Sequence, residues 1–135
     1  GRDDEAVGTA AFGLGKLFAE QDRLDEGAEW TTEALRIFRV VYGELHHNVA
    51  AALGTMGEIC TRQSKLQEAL KAHKQQLCIV SSLYGDESSQ MAVPLEGIAT
   101  CYSSQGLFDR AMKKYQQAHS ILLKVNVADD HTDAE

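Results

Sequence analysis

Metal capture, acid–base catalysis and nucleophilic attack draw on a short set of side chains, and each has candidates in this sequence. The histidines are His46, His47, His73, His119 and His131, and the thiols are Cys60, Cys78 and Cys101. A tetrahedral metal site needs three or four ligands at spacings that bring them to one point. His46 and His47 are adjacent and diverge on a helix, the other histidines lack a partner at ligand spacing, and no Cys-x-x-Cys pair occurs. Asp129, Asp130 and His131 have the groups for acid–base work, but the stretch around them is polar and offers no apolar walls to shift a pKa. Gly8, Gly13 and Gly15 imitate a phosphate loop without the strand that should precede one. No catalytic residue, metal or cofactor is expected, and the chain is not expected to be an enzyme.

Charge narrows the partners. Over 135 residues, 13 Lys and Arg stand against 20 Asp and Glu, a formal net charge of −7. A phosphate backbone calls for a basic stripe, and Lys113-Lys114 reads as an ordinary exposed helix face, so nucleic acid is not an expected partner. No apolar run reaches membrane-spanning length, and the first thirty residues carry acids in place of a basic head and apolar core, so neither insertion nor a secretory leader is expected. The odd number of cysteines, each within an apolar helical pattern, suits buried thiols in a reducing, cytoplasmic compartment. Gly1, in place of a methionine, reads as a cloning remnant or the start of an excised fragment and is left out of the fold argument. Asp129, Asp130, Asp133 and Glu135 crowd the end, so residues 128–135 read as an acidic, unfolded tail.

The elements that position these residues repeat. Position i resembles position i+42 through three copies: Gln21, Gln63 and Gln105 coincide, as do Ile37, Ile79 and Ile121, and Tyr42-Gly43 returns as Tyr84-Gly85. A fixed period of this length is the mark of stacked supersecondary units. Apolar residues three and four apart occur twice per copy, as in Val7, Ala11, Leu14, Phe18 and then Leu24, Ala28, Leu35, Phe38, which predicts two helices per repeat and six in all. Ser64-x-x-Gln67 has the spacing of a capping box, Gly43 and Gly85 suit the residue after a helix end, and Ser88 suits a helix start. Pro94 predicts a kink or a late start in the fifth helix.

These residues resemble the tetratricopeptide repeats, most closely the 42-residue variety of kinesin light chains, over about residues 4–126. The family's small slots correspond to Gly15, Gly57 and Ala99 and to Gly27, Ala69 and Ala111, and its large slots to Phe18 and Tyr102. Its interrepeat segment is echoed from Gly43 to Ala50. Cys60 and His73 stand in aromatic slots, and Gly13, Thr55 and Gly97 replace the asparagines with which kinesin light chains hold a peptide backbone. The resemblance implies an all-α, right-handed α-solenoid over residues 1–127, with repeats at about 4–45, 46–87 and 88–127. It also implies a scaffold or adaptor, with cytoskeletal association through the kinesin-light-chain likeness.

By the same resemblance, the first helices line a concave groove that takes a peptide or helix of a partner protein. The contact positions carried over are Thr9, Phe12, Lys16, Ala19 and Glu20, then Ala51, Gly54, Glu58, Thr61 and Arg62, then Val93, Glu96, Thr100, Ser103 and Ser104. Small residues leave room for a bulky guest, while Lys16, Arg62, Glu58 and Glu96 suit a guest of mixed charge. The other reading of these residues is a solvated face without a guest. A second function competes: the last helix ends apolar, with Leu122, Leu123, Val125 and Val127, and there Leu123 stands where the other copies have Arg39 and Ser81, and Val127 where they have Gly43 and Gly85. That end implies self-association, a homo-oligomer or a longer array, through the terminal helix.

Overall fold

The computed structural model describes residues 2–133, with side chains placed from residue 4 to residue 128. Six α-helices follow one another: α1 (Arg2–Glu20), α2 (Leu24–Tyr42), α3 (His47–Arg62), α4 (Leu66–Tyr84), α5 (Ala92–Ser104) and α6 (Phe108–Asp133). They pair as three hairpins, and the second helix of each hairpin packs on the first helix of the next, α2 on α3 and α4 on α5. No strand occurs among the described residues. This is the three-repeat α-solenoid that the period implies.

The turn inside each hairpin is one motif made three times. The N–H groups of Arg23, Lys65 and Leu107 donate to the carbonyls of Phe18, Cys60 and Tyr102, while those of Asp22, Ser64 and Gly106 donate to Ala19, Thr61 and Ser103. These nested bonds satisfy carbonyls that a helix end leaves over, and they require a left-handed residue inside the turn. That residue has φ 63° at Asp22, 62° at Ser64 and 79° at Gly106. The carbonyls of Arg23, Lys65 and Leu107 then accept from Gly27, Ala69 and Ala111, opening the following helix. One residue therefore ends the turn and starts the helix. The expected capping box at Ser64 does not form: Lys65 holds the cap position without a side-chain bond, because Ser64 is committed to the left-handed turn.

Gly43 and Gly85 end the second helices as expected, with φ,ψ of 82°,173° and 94°,159°, a region open only to glycine. Val127 holds that slot in α6, nothing stops the helix, and it continues to Asp133 instead of ending near Asn126. The backbone is thus helical where the acidic tail was expected to begin. The side chains of Asp129, Asp130 and Asp133, and all of Glu135, lie outside the described residues. A 3-10 turn at Ser89–Met91 delays α5 until Ala92, which puts Pro94 in the first turn, where its missing N–H deprives the helix of nothing. Ser88 does not cap a helix; its hydroxyl donates to the Gly85 carbonyl.

One apolar core runs through all three hairpins, from Ala11 through Phe38, Leu53 and Leu95 to Ile121. Each fully buried side chain such as Ile59, Leu95 or Ile98 contributes about 1.5–3 kcal/mol. Within a hairpin, close approach depends on missing side chains. A Cβ added to Gly15 would lie only 2.3 Å from the Thr31 hydroxyl, and one on Gly27 would lie 3.0 Å from the Gly15 carbonyl.

Candidate protein-binding groove

Between α3 and α5 lies a hollow of about 380 Å³ lined by Gly54, Glu58, Thr61, Arg62, His73, Val93, Glu96, Gly97 and Thr100. Glu58 and Arg62 are four apart on α3, and Val93, Glu96 and Thr100 follow helical spacing on α5, so each set shares one face. Seven of the expected groove residues, Gly54, Glu58, Thr61, Arg62, Val93, Glu96 and Thr100, thus meet in one place.

The floor comes from α4. His73, 4% exposed, fills a slot between two glycines: an added Cβ would come within 2.5 Å of its ring on either Gly57 or Gly97. Gln76, also buried, lies 3.3 Å from its Nδ1 through Oε1 and would in turn meet a Cβ on Gly54. Burial holds the imidazole below its ordinary pKa, against the opposing pull of the Gln76 bond and the Glu58 charge. A neutral ring is therefore the resident form. The sequence marks His73 as standing in an aromatic slot, and the structure shows it doing an aromatic residue's work.

The charges differ from expectation. Arg62 donates to the Ala19 carbonyl and to Asp22 Oδ1, both at 2.9 Å, so it ties the second hairpin to the turn of the first and is not a free contact. Glu58 and Glu96 have no ion-pair partner among the described residues. The hollow is consequently acidic, where equal numbers of acids and bases were expected. Thr100 donates back to the Glu96 carbonyl and meets the Tyr115 hydroxyl at 3.2 Å.

The first-repeat positions do not join this hollow. Phe12 is half-buried against the core with its ring edge-on to Phe38 of α2, centroids 6.0 Å apart, so it packs within the first hairpin and not in the groove. Lys16 lies over that ring at 5.4 Å. Thr9, Glu20 and Ser104 are exposed and outside the hollow. On α6, Leu122 is half-buried against the core and Val125 is half-buried, while Leu123 and Val127 are exposed. A larger hollow of about 530 Å³ runs along α4 from Leu45 and Leu70 to Cys78 and Ile79, and no pattern along the chain points to it.

The remaining chemical candidates have structural uses. His46 caps α3 by accepting from the Asn48 amide at 3.0 Å and stacks between Tyr42 and His47, so the two adjacent histidines do not diverge as expected. His46 precedes the helix, which frees its ring to fold back. Among the described residues no group of three His, Cys, Asp or Glu could hold a metal ion. Cys60 and Cys101 are buried, their thiols pushed up in pKa by burial, whereas Cys78 is exposed, unlike the buried position expected of it. No helix of the described residues is long and apolar enough to cross a membrane.

The tetratricopeptide repeat family model matches residues 6–77 and 56–124, and the chain belongs to that family. Its repeats are generally protein-interaction modules. Among solved structures it is similar to BtubC (BKLC) from P. vanneervenii, with TM-score 0.84 and 20% identity over 91% of this chain and 50% of that one. The TPR domain of Arabidopsis FLU superposes with TM-score 0.80 and 21% identity, over 90% of this chain and 98% of that one. Kinesin light chain TPR-like repeats of Podosopora anserina give 0.78 and 16%, over 90% of this chain and 57% of theirs. At these identities the likeness is one of fold. The chain spans about half the length of BtubC and of the Podosopora repeats. No curated protein sequence matches it.

Proposed function

We propose that the chain is a non-enzymatic scaffold or adaptor whose groove between α3 and α5 takes a peptide or helix of a partner protein, and that the guest presents a Lys or Arg side chain to Glu58 and Glu96. The observation that carries this reading is the commitment of Arg62 to Asp22 and the Ala19 carbonyl, which leaves two carboxylates, without an ion-pair partner among the described residues, above the His73 floor and beside Gly54 and Gly97. Such a site favours a cation by charge and a slender stem by shape. A cytoplasmic setting agrees with the free cysteines.

A displayed peptide library tests it. Basic peptides should be enriched, and Glu58→Lys with Glu96→Lys should weaken them by about 2–4 kcal/mol, or roughly thirtyfold or more, while leaving helicity unchanged. Enriched peptides that bind the double variant as well as the parent would overturn the reading. A second reading is assembly through α6, and the 54% and 60% exposure of Leu123 and Val127 favours it.

A further inference from the structure

Each joint between hairpins has two halves, one on a second helix and one on the first helix that follows. Inside the chain both halves are covered. Val49, Ala52 and Ile59 of α3 and Met91, Ile98 and Cys101 of α5 are all under 5% exposed. Their counterparts on α1, forty-two or eighty-four positions earlier, include Val7 and Leu17, which are 55% and 52% exposed. On the other half, His73 of α4 and Thr31 and Leu35 of α2 are buried. The matching face of α6 is open: Phe108, Met112 and Tyr115 are 65%, 55% and 45% exposed and line a shallow apolar hollow with Ala111. Among the described residues, the outer faces of α1 and α6 are thus the two halves of such a joint, each uncovered.

The two halves fit residue by residue. At the internal joint the bulky His73 faces Gly97, where any Cβ would meet the ring at 2.5 Å. Forty-two positions on, that slot holds Tyr115, and the slot facing it falls on Gly13, which has nothing within 4 Å of an added Cβ. The first joint holds Thr31 and Thr55 in these slots, with no glycine. Ile59 reaches to 3.4 Å from an added Cβ on Gly27, and the corresponding pair is Leu17 and Ala111. Gln63 donates to Asp25 at 2.7 Å, and the corresponding pair is Gln21 and Asp109. Charge agrees as well, since residues 1–30 carry eight acids and three bases while residues 108–128 carry four bases and one acid.

We propose that a second copy of this chain docks head to tail, α1 of one copy on α6 of the other, rebuilding the joint that the chain already makes twice. The two faces differ, so the contact does not close on itself and copies add into a continuing stack. The proposal rests on the reading of α6 as an assembly surface, but it moves the contact from Leu123 to the face of Phe108, Met112 and Tyr115.

Sedimentation of the 135-residue chain tests this with two variants at exposed sites, Gly13→Leu on α1 and Met112→Glu on α6. The wild type should grow in mass with concentration without levelling at a dimer. Each variant alone should keep its helicity and remain monomeric, its association weakened at least about tenfold. Their mixture should give a one-to-one dimer in native mass spectrometry, because each supplies the face that the other lacks. A wild type that stays monomeric at the highest attainable concentration overturns both the joint and the assembly reading. Self-association of Gly13→Leu alone, or association abolished by Leu123→Arg and untouched by Met112→Glu, overturns the joint and leaves assembly through α6 standing.

Discussion

At the joint between the first and second hairpins, the central slot holds the small Thr31, and polar side chains bind the hairpins from outside, Arg62 to Ala19 and Asp22 and Gln63 to Asp25. At the joint between the second and third, the same slot holds the His73 ring, pressed between Gly57 and Gly97 and touching Gln76 within. Beyond the apolar core that both share, one joint is tied by hydrogen bonds near the surface, the other by filling a hollow that only glycine backbones leave open. Exposed bonds share their strength with water, whereas a filled hollow answers to every added atom. The two joints should therefore fail under different insults.

The largest contrast is expected from equivalent substitutions in the two joints. Gly97→Ala drives a methyl into the His73 ring and should cost about 1–3 kcal/mol, a clear fall in Tm, even though alanine favours the helix. Thr55→Ala, at the same slot of the first joint, should change stability by less than about 0.5 kcal/mol. Equal effects in thermal unfolding would erase the distinction.

Acid should act next, and on the second joint alone. The folded pKa of His73 lies below the unfolded value near 6.5, so the unfolded chain binds the extra proton first. The stability this ring lends is present above pH 6.5 and is lost as the pH falls below it. His46 titrates in the same direction, burial and His47 holding its pKa low, so the measure is the difference between wild type and His73→Gln. Denaturant melts at pH 7.5 and 5.5 should show a smaller acid loss in the variant.

Arg62→Ala should cost less than Gly97→Ala, no more than about 1 kcal/mol, because the ion pair with Asp22 is exposed. Salt should weaken the wild type toward the variant. A cost rivalling that of Gly97→Ala would mean that the outer bonds, not the packed ring, set the strength of the array.

What could be read from the sequence was whatever repeats at a fixed spacing along one chain. The 42-residue period places six helices, Gly43 and Gly85 mark their ends, and Pro94 marks the late start of α5. What escaped were partnerships between helices. Ser64 looks like a cap until the left-handed turn claims it, Phe12 looks like groove until Phe38 meets it, and Arg62 looks free until Asp22 takes its charge. The pairing of a ring with a glycine was within reach, since subtracting the period twice from Gly97 and adding it once to His73 lays Gly13 opposite Tyr115. Recognising it needed the knowledge that Gly97 and His73 touch.

The turn shared by all three hairpins bears on how such a chain changes length over generations. Because Arg23, Lys65 and Leu107 each close one helix and open the next, the turn contains no spare residue. A single insertion there would swing the second helix by about 100° and turn its apolar stripe away from the core. The links around Gly43 and Gly85 carry no such double duty, and the second already spends three residues on its 3-10 turn. Additions and losses should accumulate at those links, while the hairpin turns keep their residue count fixed.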